Sequence, residues 1–460
     1  MGQAEIIGLG RSGIAAAKLL NRNGWQVVLG DRASAEQIQS RSNAQELESA
    51  QLELQAEGIE VRLGHSLDLA QENKPQLIVV SPGVPWDIPV LVEARKQGIK
   101  TIGELELAWS YLETVPWLGV TGTNGKTTTT ALISACFKAA GLNAPACGNI
   151  GNAACEVALQ PSTPDWVIAE ISSYQIESSQ NLKPQIGIWT TFTPDHLSRH
   201  KTLENYGKIK ASLILRSQQQ LLNGDDLYLQ KFDREKLNNS YWTSIDNHPN
   251  LPGDRERQVY IQDGWVVAFG ELILPISLFK MPGLHNRQNL LLAVGAARLA
   301  GIEKKAITEA IATFSGVPHR LELICDYRGI KFINDSKATN YDAAEVGLSS
   351  VAEPTILIAG GQAKEGNDQA WLKEIRQKAA FVLLIGEVAP IFAQKLQEAN
   401  YFDYEIVETL SQAVAKSVDL AIDKSAKTVL LSPACASFDQ YLSFEHRGDC
   451  FRELCQQLKS

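Results

Sequence analysis

The chain has 460 residues, of which 44% are hydrophobic and 21% charged, and carries a formal net charge of −9. That length exceeds one ordinary core, so two or three domains are expected, and the composition is that of a soluble globular protein. The acidic balance argues against nucleic acid as a partner, and no apolar run nears the roughly 18 residues that suggest membrane insertion. Met1 leads almost at once into a strand, leaving no room for a signal peptide. The seven cysteines are scattered without a C-x-x-C pair, which fits reduced thiols in a cytoplasmic protein better than a disulfide frame or a zinc site.

The first region is expected over residues 1–112. Residues 4–7 read as a strand, followed by Gly8-Leu9-Gly10-Arg11-Ser12-Gly13 and a helix rich in alanine and leucine. This is G-x-G-x-x-G in its proper setting, strand before and helix after. The next strand signal, Val27-Val28-Leu29, ends at Gly30-Asp31, where dinucleotide-binding folds place an acid on a ribose hydroxyl. Alone, the motif suggests NAD; the same loop holds any diphosphate at a helix N-terminus, a UDP group included. The buried-strand run 77–80 ends in Ser81-Pro82-Gly83. Ligands sit at the carboxyl ends of strands in open parallel sheets, so these residues either lie beside the glycine loop or form a plain turn. A helix over 104–111 leads into the linker Thr114-Val115-Pro116.

The second region, 113–316, opens on W-L-G-V-T-G-T-N-G-K-T-T-T-T over 117–130. A short apolar strand meets a glycine turn, then Lys126, Thr127, Thr128 and an apolar-periodic helix. Glycines let backbone N–H groups converge on phosphate oxygens, the lysine reaches the terminal phosphates and the threonine holds magnesium. The strict motif has a glycine where this chain has Val120, so the loop is a shortened form. Strand 166–169 delivers Glu170, a candidate magnesium ligand, and strand 186–192 ends at Thr193-Pro194-Asp195-His196. A helical pattern over 203–215 carries Tyr206, Lys208 and Lys210, and Pro282-Gly283-Leu284-His285-Asn286-Arg287-Gln288-Asn289 precedes an apolar helix. Asn286 and Asn289 share a face of its first turn, where their amides can bond a nucleobase edge or merely cap the helix.

The third region, 317–460, alternates strands with helices, which implies another parallel sheet. Its strands end in polar loops: Asn334-Asp335-Ser336-Lys337-Ala338-Thr339-Asn340, Gly360-Gly361-Gln362-Ala363-Lys364, and Ser432-Pro433-Ala434-Cys435-Ala436-Ser437-Phe438-Asp439. Several such loops in one small domain argue for a ligand edge. The expected fold is therefore α/β in three domains: an N-terminal Rossmann-like domain, a central P-loop ATPase-like parallel sheet and a C-terminal Rossmann-like domain.

Together these stretches resemble the Mur ligase family, ATP-dependent amino-acid ligases of peptidoglycan precursor synthesis, over essentially the whole chain. T-G-T-N-G-K-T-T and the Pro-Gly-x-His-Asn-x-x-Asn stretch are shared widely in that family. The N-terminal G-x-G-x-x-G, N-D-S-K-A-T-N, S-P-A-C-A-S-F-D-Q-Y and the following Phe444, Glu445, Arg447 and Gly448 resemble most the branch that adds D-glutamate. A D-N-P-R-type loop, expected of the diaminopimelate- or lysine-adding relatives, is absent from the sequence.

The resemblance implies that Gly122, Thr123, Asn124, Gly125, Lys126, Thr127 and Thr128 hold the ATP phosphates, with Asn286 and Asn289 on the adenine side. Arg320 and Asp335 would reach ATP from the third domain. It implies magnesium as two ions, held by Thr127, Glu170, His196 and a carbamylated Lys210, with Lys208 as the fallback lysine. Lys126, His196 and Lys210 would be catalytic. Ser12, Asp31, Arg32, Ser81, Gly83 and Asn149 would hold UDP-N-acetylmuramoyl-L-alanine, although the family often shows Asp-Thr-Arg where this chain has Asp31-Arg32-Ala33. His319, Lys337, Thr339, Lys364, Ser437 and Phe444 would hold D-glutamate. A monomer is expected, with closure of the third domain assembling the site. Other readings of the residues are a different ligase of the family, a folylpolyglutamate synthetase, an NAD-dependent oxidoreductase that leaves Lys126 unexplained, and a nucleotide switch that has no use for the third-region loops.

Overall fold

The computed structural model describes residues 2–39, 44–70, 73–246, 251, 254–363 and 366–458. Lys364 lies outside the described residues. Two compact units result, one of Met1–Phe279 with Gln288–Phe314, the other of Lys280–Arg287 with Ser315–Ser460.

The first unit holds two sheets. In the first, β1 (Gln3–Ile7), β2 (Gln26–Asp31), β3 (Glu60–Leu63), β4 (Leu77–Val80) and β5 (Lys100–Gly103) run in the order β3-β2-β1-β4-β5, all parallel. The sequence Leu-Ile-Val-Val of β4 is buried throughout, as expected of a strand covered on both faces. The helix Arg11–Arg22 packs on the sheet through Ala15, Ala16, Ala17, Leu19 and Leu20.

The second sheet comprises β6 (Trp117–Thr121), β7 (Ala146–Gly148), β8 (Val167–Glu170), β9 (Ile186–Trp189), β10 (Gln219–Asn223), β11 (Ser240–Ser244), β12 (Gln258–Gln262), β13 (Trp265–Ala268) and β14 (Glu271–Pro275). Their order is β14-β13-β12-β11-β10-β9-β6-β8-β7, so β6 sits between two strands that follow it in the chain. The phosphate loop thus leaves a central strand with neighbouring strand ends on either side. Two departures from expectation stand out. Strand β9 stops at Trp189 instead of continuing to Phe192, because residues 190–193 turn their polar groups onto the phosphate loop. The second is an antiparallel meander, β12 to β14, appended to the parallel sheet. Its first turn is Asp263-Gly264, with φ of 49° and 78°, the left-handed pair that a two-residue hairpin demands.

The second unit holds β15 (Glu322–Tyr327), β16 (Ile330–Asn334), β17 (Thr355–Gly360), β18 (Ala379–Ile385), β19 (Tyr404–Glu408) and β20 (Thr428–Leu431) in the order β15-β16-β20-β17-β18-β19. Among the described strands of this unit only the β15–β16 pair is antiparallel. The polar loops after β16, β17 and β20 consequently emerge from adjacent parallel strands along one edge. Among the described residues no helix is long and apolar enough to cross a membrane, and all seven cysteines are free thiols. Cys435 is fully buried, in keeping with a small packing residue.

Candidate active site

The phosphate loop is shaped by two glycines that have no substitute. Gly122 has φ 147°, and a Cβ there would lie 1.9 Å from Thr190 Oγ1. Gly125 has φ 84° at the N-cap of the helix Lys126–Ala139, and a Cβ there would lie 2.4 Å from Asn289 Oδ1. The first turn beyond presents unsatisfied N–H groups and a positive dipole end, the arrangement that binds phosphate. Its other side is tied down: Thr123 N donates to Thr191 O (2.8 Å), Thr123 Oγ1 to Thr193 O (3.0 Å), and Asn124 N to Thr191 Oγ1 (3.0 Å). Lys126 Nζ arches over the loop, donating to Gly122 O at 3.0 Å and Thr123 O at 2.8 Å. Thr127 and Thr128 are buried in the first turn. Asn289 accepts from Thr129 Oγ1 at 3.3 Å, so it braces the helix that carries the lysine.

Lys210 enters the same loop from the helix Leu203–Arg216. It is 1% exposed, and its Nζ donates to Gly122 O at 2.8 Å. The Tyr206 ring lies 4.6 Å from that nitrogen. Burial first, and the Lys126 charge second, hold its pKa well below the ordinary lysine range. Lys208 instead pairs with Glu204 at 2.6 Å on the solvent face. The fallback lysine thus points away from the phosphate loop.

Glu170, at the end of β8, is 1% exposed. Its Oε1 accepts from Asn149 Nδ2 at 2.8 Å, and among the described residues Oε2 is buried with no hydrogen-bond partner. An orphaned carboxylate oxygen suits a hard cation. His196 has φ 55°, a left-handed conformation that is rare for histidine and marks a position held by its surroundings. Its Nε2 lies 3.5 Å from Asp195 Oδ2, and its ring centroid is 5.0 Å from that of Tyr174. Among the described residues no cluster of three or more His, Cys, Asp or Glu side chains could by itself hold a metal ion. Glu170 and His196 would therefore need help from other oxygens, such as the Thr127 hydroxyl and a carbamate on Lys210.

Around the first sheet, Gly13 is obligatory, since a Cβ there would lie 2.0 Å from Gly8 O. Ser81 Oγ donates to Gly8 O at 3.0 Å, so the Ser81-Pro82-Gly83 turn does adjoin the glycine loop. Asp31 accepts from Leu9 N and Ala33 N, both at 2.8 Å, and so shapes the glycine loop itself. Ser12 sits half-buried in the first turn after it, while Gly83 is exposed. Arg32 lines a small pocket with Glu5, Gly30, His65 and Ser66.

In the second unit, Asp335 is buried; its Oδ2 accepts from Ser432 Oγ at 2.9 Å and its Oδ1 from Leu321 N at 3.3 Å. Burial raises its pKa to about 7, against which Ser432 and Arg320 act. His319 is buried with φ 62°. Asn334 Nδ2 can only donate, so His319 Nδ1, 3.1 Å away, accepts, and in the neutral ring the proton lies on Nε2. Burial lowers the pKa of His319. Gly448 must lack a side chain, because a Cβ would lie 2.2 Å from His319 Nδ1. Lys337 Nζ stands 4.9 Å from the Phe444 ring centroid. Ser437 is buried, and its hydroxyl has no partner among the described residues. Thr339 is half-buried on the Lys337 loop, its N donating to Lys337 O at 2.9 Å. Asn286 Nδ2 donates to Pro282 O at 2.6 Å, a backbone contact at the start of its helix.

Several neighbours of these residues were not singled out in the sequence. Thr190 and Thr191 pin the phosphate loop through hydroxyls that both donate to Asn124 O, and Thr193 pins it through its backbone; two adjacent threonines beyond an apolar run were the available signal. His200 Nε2 meets Ser173 Oγ at 2.9 Å, and its ring stacks on Tyr206 with centroids 5.3 Å apart. Burial first, then His196, lowers its pKa to about 4. Nothing local in the sequence marks that stack.

Comparison with known proteins gives a consistent outcome. Residues 2–103 match the family described as Mur ligase MurD-like, N-terminal domain; 120–297 match the Mur ligase middle domain; and 319–435 match the Mur ligase, glutamate ligase domain. The UDP-N-acetylmuramoylalanine–D-glutamate ligase of Gloeothece citriformis is 66% identical over 458 residues, covering 100% of both chains. That of Microcystis aeruginosa is 64% identical with the same coverage, and that of Synechocystis sp. is 63% identical over 99% of both chains. Among solved structures, the UDP-N-acetylmuramate–alanine ligase MurC of Thermotoga maritima aligns with TM-score 0.60 at 18% identity, and a pseudomurein peptide ligase type C of Methanothermus fervidus with TM-score 0.59 at 19% identity. Both alignments cover 100% of each chain, and at such identities they speak to the fold alone.

Proposed function

The chain belongs to the Mur ligase family, and from that membership we propose that it joins D-glutamate to UDP-N-acetylmuramoyl-L-alanine at the expense of ATP, a step of peptidoglycan precursor synthesis. Relatives 57–66% identical over nearly their full length carry the corresponding ligase name. The structural observation that carries the reading is the meeting of two lysines, Lys126 and Lys210, on the single carbonyl of Gly122.

A carboxylate is a poor electrophile, and ATP converts it to an acyl phosphate by transfer of the γ-phosphoryl group. The amine of D-glutamate then attacks the acyl carbon, and phosphate leaves from the tetrahedral intermediate. Two anions must approach for the first step, and Lys126 with the N–H groups of the helix Lys126–Ala139 neutralises and orients them. Magnesium, as two ions, supplies further charge neutralisation when bound. The Thr127 hydroxyl, Glu170, His196 and a carbamate on Lys210 would hold it. That carbamate forms when the neutral Lys210 amine adds to CO2 and releases a proton, turning a buried base into an anion.

Work divides among three domains, 1–112 for the UDP-sugar substrate, 113–316 for ATP and 317–460 for the amino acid. Ser12, Arg32, Ser81, Gly83 and Asn149 contact the UDP substrate, with Asp31 shaping the loop. Arg320 and Asp335 act on ATP, and Asn286 and Asn289 stand on its adenine side. His319, Lys337, Thr339, Lys364, Ser437 and Phe444 serve D-glutamate, whose two carboxylates call for cations and hydroxyls. The protein works as a monomer, in the cytoplasm, without a nucleic-acid partner. The test is phosphate release from ATP and magnesium with UDP-N-acetylmuramoyl-L-alanine and a panel of amino acids. Release that requires D-glutamate, and ignores L-glutamate, L-alanine and diaminopimelate, supports the reading; dependence on another amino acid would keep the family and discard this member of it.

A further inference from the structure

Arg447, in the first turn of the helix Phe444–Gln457, is 1% exposed. Among the described residues it makes no ion pair. Its donors go to oxygens of two loops: Nη2 to Ser336 O (2.8 Å) and Cys435 O (3.1 Å), Nη1 to Ala436 O (3.2 Å), and Nε to Ser336 Oγ (3.0 Å). Ser336 Oγ in turn donates to Phe444 O at 2.8 Å. The loop after β17 closes against the same group: Gln362 bridges Ala436, and a Cβ on Gly361 would lie 2.3 Å from Ala436 O and 3.1 Å from Arg447 Nη1.

A guanidinium taken out of water costs several kcal/mol, and here it is offset by bonds to neutral oxygens of two loops. Removing it would leave those buried oxygens without this donor. Its planar fork offers several donors in fixed directions, which a lysine cannot reproduce. The atoms it holds are the backbone flanks of Lys337 on one loop and of Ser437 on the other, and Ser336 extends the clamp to Phe444.

We propose that Arg447 is a positioning residue of the amino-acid pocket. It locks the loop of Lys337 to the loop of Ser437 and keeps a positive charge, in ion-pair contact with no carboxylate among the described residues, behind a pocket for a dicarboxylic amino acid. This rests on the D-glutamate reading of those loops. Arg447 itself does not touch the substrate; it acts through Lys337, Ser437 and Phe444.

The test uses the full-length protein and its Arg447→Lys, Arg447→Met and Ser336→Ala variants, with KM measured separately for D-glutamate, ATP and the UDP substrate. Thermal unfolding checks that each variant is folded. Arg447→Lys should raise KM for D-glutamate by about tenfold or more, the scale of one or two lost charge-assisted bonds, with both other KM values within about twofold. Arg447→Met, which also removes the charge, should raise it further. In variants that fold, a purely structural role would change all three KM values together or none of them, and either pattern overturns the proposal. Should the Arg447 variants fail to fold, Ser336→Ala decides, because it keeps the guanidinium and its bonds to backbone carbonyls and removes the hydroxyl that joins Arg447 Nε to Phe444 O: a selective rise in KM for D-glutamate supports the clamp, and an unchanged value sinks it. Wild-type phosphate release that ignores D-glutamate would instead overturn the functional reading, and this inference with it.

Discussion

Lys126 and Lys210 converge on one backbone oxygen, their Nζ atoms 3.0 Å and 2.8 Å from Gly122 O. Burial penalises the Lys210 ammonium most, and repulsion from Lys126 adds to it, so the buried partner is the one driven towards the neutral amine. An amine in that state is a nucleophile for CO2, whereas an ammonium is not. Lys210→Ala should therefore lower kcat by about a hundredfold or more, the scale of losing a group that organises transition-state charge. Lys208→Ala, on the exposed face, should leave it unchanged. Wild-type protein in 13C-bicarbonate should show a carbamate carbon signal that Lys210→Ala lacks; a signal in both would exclude Lys210 as its bearer.

Gly125→Ala tests the loop geometry. The substitution puts a methyl group 2.4 Å from Asn289 Oδ1 at φ 84°, strain that a non-glycine residue carries at a cost of about 1–3 kcal/mol. ATP affinity measured by calorimetry should fall by about tenfold or more, while affinity for the UDP substrate stays within about twofold. Loss of both together would mean that the fold, and not the loop, had failed.

The glycines of the first region separate structure from binding. A Cβ on Gly13 would lie 2.0 Å from Gly8 O, whereas one on Gly10 meets nothing within 4 Å. Gly13→Ala should cost about 2 kcal/mol or more in denaturant unfolding, by overpacking against backbone. Gly10→Ala should stay within about 0.5 kcal/mol of wild type, yet weaken UDP binding if the diphosphate approaches the backbone there. A Gly10→Ala protein that binds UDP normally would move the diphosphate off this loop.

Glu104 makes stability depend on pH. Its Oε1 accepts from Cys155 N at 2.6 Å, Oε2 has no partner among the described residues, and burial raises its pKa from 4.5 to about 7. The folded state therefore holds a proton that the unfolded state releases between these values. Its penalty on stability is absent below pH ~4.5, grows as pH rises, and levels off above pH ~7 at about 3 kcal/mol. Glu104→Gln should flatten the fall in melting temperature between pH 5 and 8; an unchanged slope in the variant would show that the carboxyl is not its source.

Much of the candidate site could be read along the chain because its chemistry is local. A phosphate loop needs glycine at left-handed positions and a lysine on the first turn, so 122–128 are legible as letters. Glu170 ends a buried strand, and an unneutralised carboxylate there demands a reason. The Asp263-Gly264 hairpin carried an equally local signal, but it sits in a stretch with no ligand chemistry to draw attention to it. Arg447 and His200 were not legible as parts of a site. Their roles lie in what they touch, Ser336 and Cys435 in one case, Ser173 and Tyr206 in the other.

By itself, then, the sequence determined the kinds of element and their order: apolar runs of strand length, each ending in glycine or polar loops, with backbone geometry that only certain residues tolerate. Those are properties of one to eight neighbouring residues, governed by sterics and by the burial of apolar side chains. Only the tertiary structure decided between Lys208 and Lys210, which stand two residues apart on one helix. One faces water beside Glu204, and the other is sealed against Gly122. Burial and the field of a second lysine brought from 84 positions away (210 minus 126) set that difference, and neither can be read from a local stretch of chain.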